Sequence, residues 1–212
     1  MKLFYSPGAC SLAPHIVLRE AERAFDLERV DLKTHRTASG ADYMTINPKG
    51  YVPALQLDDH GTMILTENAA ILQYIADLVP ERRLAPPNGT FARYHLQEWL
   101  SFISGEVHKQ FGPLFHPDTP VLTQERLRSK LGERFLYLAD VLVDRGFVMG
   151  ETFTVADAYL FALLRWTERF DLDLQLWPNL DDYYHRLVDR PSIHAAMIAE
   201  GLIEPKRIRR SA

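Results

Sequence analysis

At 212 residues the chain is long enough for one large domain or two small ones, and its 47% hydrophobic and 25% charged residues predict a well-buried core and exclude wholesale disorder. The formal charge of −4 gives no general attraction to nucleic acid or to anionic membranes. No apolar run approaches the ~20 residues of a membrane-spanning helix, and a single cysteine, Cys10, excludes an internal disulfide.

The opening apolar run, Leu3-Phe4-Tyr5, is far shorter than the h-region of a secretory signal, so a cytoplasmic location is the expectation. Lys2 to Tyr5 predicts a strand ended by Ser6-Pro7-Gly8, and a helix follows from about Ser11 to Ala24, with Pro14 in its first turn. Val30 and Leu32 alternate about Asp31 as an edge strand would. After the Asn47-Pro48-Lys49-Gly50 turn, Ala54–Leu57 and Met63–Thr66 predict a hairpin around Asp58-Asp59-His60-Gly61. Ile71, Leu72, Ile75 and Leu78 then stripe a helix that begins near Glu67. Strand, helix, strand, irregular segment, hairpin and helix make a small mixed sheet with helices packed on it, the layout of a thioredoxin-like domain.

Pro80 and Pro86-Pro87-Asn88-Gly89 mark a linker, beyond which no strand is predicted. Phe91 to Phe111 reads as one long helix, and Leu127 to Leu142 keep helical spacing up to Gly146. Ala158 to Leu164 is apolar nearly all round and belongs at the centre of a helical bundle. Thr154-Val155-Ala156-Asp157 before it has the hydroxyl and carboxylate spacing of a capping box, and two more helices start near Asn179 and Ser192. The expected architecture is an α/β, thioredoxin-like domain over residues 1–80, a linker over 81–90 and an all-α bundle over 91–212. The basic stretch Lys206, Arg207, Arg209 and Arg210 reads as a solvated tail.

Cys10 stands between the first strand and the first helix, where free backbone N–H groups and the helix dipole favour a thiolate. At the reference pKa of ~8.5 only ~3% of a thiol is ionised at pH 7. Lowering the pKa to ~6.5 needs ~2.7 kcal/mol, of which a helix dipole supplies ~0.3–1 kcal/mol. A donor such as the Ser11 hydroxyl, or a cation, has to add the rest; from position alone the same cysteine reads equally as an inert buried thiol. Ala13 stands where a dithiol oxidoreductase has its second cysteine, so only monothiol chemistry is open.

A cis bond before Pro53 would leave the Val52 backbone free to pair with a peptide-like ligand, while a trans loop proline is the plainer reading. Glu67-Asn68 opens the third helix and would suit an amino-acid head group, its N–H groups taking the carboxylate and Glu67 the ammonium; a simple capping pair is the alternative. No second histidine lies three or four residues from His108, so a metal site is not expected.

Together these segments resemble a glutathione transferase of the bacterial beta class. The match is carried by Met1 to Leu12 with Pro14 to Glu20, by Asn47 to Leu55 and by Leu65 to Tyr74. His108-Lys109, Pro113-Leu114-Phe115 and Thr154 to Asp157 continue it, and the similarity runs to about Gly201. The resemblance implies the transferase fold, a homodimer and glutathione as co-substrate. Carried across by position, Cys10 faces the glutathione sulfur with Ser11 assisting, and Val52, beside a cis Pro53, pairs with the cysteinyl backbone, with Tyr51 in the same binding set. Glu67 and Asn68 bind the γ-glutamyl head group, and His35, where lysine is frequent, approaches the glycyl carboxylate. His108 reaches in as an acid–base or hydrogen-bonding partner, and Lys109 adds positive potential. Ser101 replaces an asparagine tied to a cross-subunit polar contact and is carried into the binding set at that position.

Three functions remain open on the sequence. One is detoxifying addition of the glutathione thiolate to hydrophobic electrophiles, in a pocket near Phe111, Phe115 and Trp166. The second is thiol transfer, reductive dehalogenation or peroxide reduction through a Cys10 mixed disulfide. The third is non-catalytic binding of a ligand or partner on the same scaffold.

Overall fold

The computed structural model describes residues 1–58 and 60–205. Five strands form one sheet in the order β3-β2-β1-β4-β5: β1 (Lys2–Tyr5), β2 (Asp26–Asp31), β3 (Arg36–Thr37), β4 (Ala54–Gln56) and β5 (Ile64–Thr66). β1 runs parallel to β2 and antiparallel to β4, with Leu3 opposite Leu27 on one side and Leu55 on the other. Alternation splits the sheet into two faces. Leu3 and Leu55 join Ile16, Ile71 and Ile75 under helices α1 (Leu12–Glu20) and α2 (Asn68–Asp77). Phe4, Val30 and Ala54 face the other way, onto Tyr43 and Val52.

Three sequence expectations change here. Val30 belongs to an interior strand, and the edge is β3, whose two residues are too few to show any periodicity. Leu32 lies beyond β2 and is exposed. Helix α1 stops at Glu20 rather than Ala24, because Glu22 takes φ 49° and Asp26 already pairs with Lys2. The hairpin forms as expected, Ala54 opposite Thr66.

After Thr90, whose hydroxyl caps the Arg93 N–H, the remaining regular elements of the described residues are helical. Helix α3 (Phe91–Phe102) widens into a π-helical segment, Ile103–His108, before α4 (Lys109–Leu114). One uninterrupted helix over 91–111 is therefore corrected to two joined by a re-registered stretch, and such bulges commonly re-aim functional side chains. Helices α5 (Val121–Val141), α6 (Val155–Leu164), α7 (Pro178–Val188) and α8 (Pro191–Ala199) complete the bundle.

All ten residues of α6 are buried. Its start is fixed by Asp157, fully buried, which accepts from the N–H groups of Thr154 and Val148, both at 2.8 Å, and from the Tyr183 hydroxyl at 2.9 Å. The bundle grips the sheet domain through α1 and the end of α2. Arg190 and Ser192 reach Glu20, Arg93 makes a bidentate pair with Asp77 at 2.8 Å, and Glu200 meets His15 Nδ1 at 2.8 Å. Lys206, Arg207, Arg209 and Arg210 lie outside the described residues. Among the described residues, no helix is long and apolar enough to cross a membrane.

Candidate active site

The loop from β1 to α1 carries Cys10 to the boundary between the sheet and the bundle. Two long-range bonds hold it there. Trp166 Nε1 donates to the Gly8 carbonyl at 2.8 Å, and the Gly8 N–H donates to Glu200 Oε2 at 2.9 Å. Glu200 carries no sequence signal, since its partners lie nearly the whole chain away. Ser11 is fully buried, and its hydroxyl both accepts from the Ser6 N–H and donates to the Ser6 carbonyl, at 3.2 and 3.3 Å. The hydroxyl is thus spent on shaping the loop, and what Ser11 offers the sulfur is its backbone N–H.

Cys10 is half-buried, and its thiol donates to the Val52 carbonyl at 3.3 Å, just before a cis Val52–Pro53 bond. The Val52 C=O expected to be free is thus already engaged. Tyr51 is exposed, but its carbonyl is pinned by Tyr43 Oη at 2.8 Å and Asn47 Nδ2 at 2.7 Å. Of the two readings left open by the sequence, thiolate or buried thiol, this environment favours the thiol. Burial pushes the Cys10 thiol up to about 12; the Asn68 side chain and the N–H groups of Cys10 and Ser11 oppose the rise, and the Glu67 carboxylate adds to it. Among the described residues, no cation is one of the main contributors to that balance. With a pKa near that value only ~10⁻⁵ of the sulfur is ionised at pH 7, so Cys10 is a hydrogen-bond donor.

Glu67 precedes α2 with φ 71°, a conformation a non-glycine residue adopts at a cost and one enriched at binding sites. Its exposed carboxylate pairs with Lys49, which also reaches Thr66 Oγ1 at 2.7 Å. An incoming ammonium would therefore share Glu67 with Lys49. Asn68 is buried and its Oδ1 has no partner. The Nδ1 of His35 is likewise buried without a partner. The His35 ring packs over Gly50, where φ is 72° and an added Cβ would lie 3.0 Å from Cε1, so only glycine fits. These two orphaned atoms lie on residues assigned from sequence to opposite ends of the tripeptide.

From the bundle, the π segment delivers His108, whose Nδ1 lies 2.7 Å from the hydroxyl of Tyr159 on α6. Burial lowers His108 to about 4, with the Glu67 charge opposing, and burial raises Tyr159 above the usual phenol range, with the Cys10 charge adding to it. Both are neutral at pH 7. Tyr159 was invisible as a site residue because α6 reads as uniform core. Trp166 packs 5.3 Å from the His108 ring and 5.0 Å from Phe115, with Phe170 4.8 Å beyond. Phe111 is fully buried and backs this wall rather than lining it. Lys109 is exposed at the start of α4. Ser101 is exposed on α3 and its hydroxyl donates to the Gln97 carbonyl at 2.8 Å, so the structure does not bring it to the cleft. No cluster of His, Cys, Asp and Glu able to hold a metal occurs among the described residues.

Two family models match this chain, the glutathione S-transferase N-terminal domain over residues 1–77 and the C-terminal domain over 102–191. The chain belongs to the glutathione S-transferase family. The transferase is 48% identical over 202 residues to glutathione S-transferase GstA of Escherichia coli O157:H7, covering 95% of this chain and 100% of that one. It superposes on the bacterial beta-class transferase of Sphingomonas chungbukensis with a TM-score of 0.92 at 48% identity, covering 96% and 100% of the two chains. A sphingomonad transferase solved with glutathione gives a TM-score of 0.91 at 45% identity and the same coverage, 96% and 100%. Fold and family therefore agree with the resemblance read from Cys10, Val52-Pro53 and Glu67-Asn68.

Proposed function

We propose that this transferase binds glutathione in the Cys10 cleft and adds its thiolate to hydrophobic electrophiles. The observation that supports this is the convergence on Cys10 of the Val52 backbone, the Asn68 side chain and Tyr159, the last bonded to a neutral His108. A protonated Cys10 can turn its S–H from the Val52 carbonyl to a bound sulfur, which lowers the cost of ionising that sulfur and frees the carbonyl for the cysteinyl N–H. Asn68 and Glu67 would hold the γ-glutamyl end and His35 the glycyl carboxylate, the ligand giving Asn68 Oδ1 and His35 Nδ1 the partners they lack and sharing Glu67 with Lys49. Trp166 and Phe115 would form the apolar wall for the electrophile, with His108 at its edge. Ser11 and Tyr51 would position the backbone around them, and Lys109 would add positive potential at the mouth.

The same thiol argues against a resting Cys10–glutathione disulfide. Exchange requires a thiolate, and a thiol near pKa 12 supplies very little of it. Residues 1–80 would be the glutathione-binding unit, 81–90 the linker and 91–212 the helical unit. A homodimer in the cytoplasm fits the exposed aromatic side chains Phe91, Tyr94 and Tyr137. Ser101 would contact a ligand or partner only across such an interface.

Calorimetry with glutathione and a glutathione-dependent assay on a chlorinated nitroaromatic test the proposal. Wild type should bind and turn over, and Cys10→Ala should still bind glutathione with turnover lowered about tenfold, the value of one hydrogen bond to a charged sulfur. Absence of glutathione binding by wild type would refute it.

A further inference from the structure

Tyr159 sits on the fully buried α6 and is itself 2% exposed, so its ring has no room to move. Its hydroxyl meets His108 Nδ1 at 2.7 Å, with the two rings close to perpendicular at 87°. Distance does not say which atom donates, but chemistry does. A phenol is a stronger acid than a neutral imidazole N–H, and an imidazole nitrogen is a far stronger base than a phenol oxygen. The O–H therefore donates and Nδ1 accepts. A neutral imidazole carries one proton, which must then lie on Nε2. Nε2 makes no hydrogen bond among the described residues and is not one of the buried unpartnered atoms, so it touches solvent.

The phenol has other polar neighbours: the Ser104 and Asn68 side chains both approach it, each in the sense that lowers its pKa. Were Tyr159 to turn its O–H to either of them instead, His108 would donate from Nδ1 to the phenol and leave Nε2 as a bare base. One arrangement puts a donor in the cleft and the other puts an acceptor there. The geometry points to Tyr159 as a positioning residue that donates to Nδ1 and so holds His108 as the Nε2–H tautomer, its N–H turned to the cleft. That N–H is suited to an anionic sulfur or a departing anion and unsuited to removing a proton. What the N–H meets rests on the glutathione reading above; the tautomer is a property of the free protein.

The test is nitrogen NMR of ¹⁵N-histidine-labelled protein at pH 7 without glutathione, with His108→Gln supplying the assignment. Wild type should show the His108 proton on Nε2, and Tyr159→Phe should give a mixture of tautomers. The same variant should lower kcat on the chlorinated nitroaromatic about three- to tenfold while leaving KM for glutathione unchanged, since the hydrogen bond lost is worth about that factor. Asn68→Ala should leave the tautomer as it is. A proton on Nδ1 in wild type, no change of tautomer in Tyr159→Phe, or a switch in Asn68→Ala would overturn the assignment. If Tyr159→Phe fails to fold, wild type still decides through Nδ1, whose unprotonated resonance should be shifted upfield as in a nitrogen that accepts a hydrogen bond; an unshifted Nδ1 would overturn the assignment. An Nε2–H tautomer in a protein that does not bind glutathione would uphold Tyr159 and defeat the proposed function.

Discussion

The two walls of the cleft are built differently. On the sheet side, Asn68 Oδ1 and His35 Nδ1 are buried without partners, Glu67 holds a left-handed backbone, and the Cys10 thiol rests on a carbonyl that it can release. On the bundle side, Tyr159 and His108 satisfy each other, Trp166 is bonded to Gly8, and α6 beneath them is capped and sealed. An unpaired buried polar atom costs free energy until something fills it, so the sheet side is incomplete without a ligand. The bundle side of the cleft has its buried groups paired, with only the His108 Nε2 left toward solvent, and acts as a rigid reference surface.

The largest expected effect falls on that reference surface. Asp157→Ala strands buried donors of Val148, Thr154 and Tyr183, and should cost about 3–5 kcal/mol in urea unfolding. A loss below about 1 kcal/mol would mean that the bundle side is not held from the start of α6.

His108 should show its neutrality in the pH dependence of stability. Its folded pKa, about 4, lies below the ordinary ~6.5, so the stability it contributes is present above pH ~6.5 and lost as pH falls toward 4. His108→Gln should flatten that loss by on the order of 2 kcal/mol in thermal or urea unfolding, half-exposure taken into account. A larger loss in the variant than in wild type would contradict a histidine buried neutral.

Glu20, which joins the two halves, gives a smaller effect. Burial raises its pKa, but hydrogen bonds from Arg190 and Ser192 outweigh burial and hold it below the usual carboxylate range. Its contribution is therefore present above pH ~4.3 and lost as pH falls through the lowered value. Glu20→Gln should cost about 1–2 kcal/mol at pH 7 and remove part of the acid-induced drop. Ser101→Ala is expected to stay within ~0.5 kcal/mol and to leave glutathione affinity unchanged, because the hydroxyl bonds only its own helix.

Much of the sheet side was legible in the sequence. Turn chemistry at Asn47–Gly50 and Asp58–Gly61 marked the hairpin and the loop before Pro53. The Thr154–Asp157 spacing located the start of α6. What stayed hidden depends on contacts rather than periodicity. Tyr159 looks like any core aromatic until its hydroxyl is placed against His108. The π segment has no spacing signature, and Glu200 finds its partners only after folding. The ionisation of Cys10 stayed open in the sequence for a related reason: the start of the helix is visible there, but the burial that pushes the thiol up is not.

The state of that sulfur is the most direct test. Thiolate absorbance of the ligand-free protein, with Cys10→Ala as the blank, should show no ionisation of Cys10 from pH 5 to 10. A titration step belonging to Cys10 with a midpoint near 6 or 7 would contradict the donor role assigned to it.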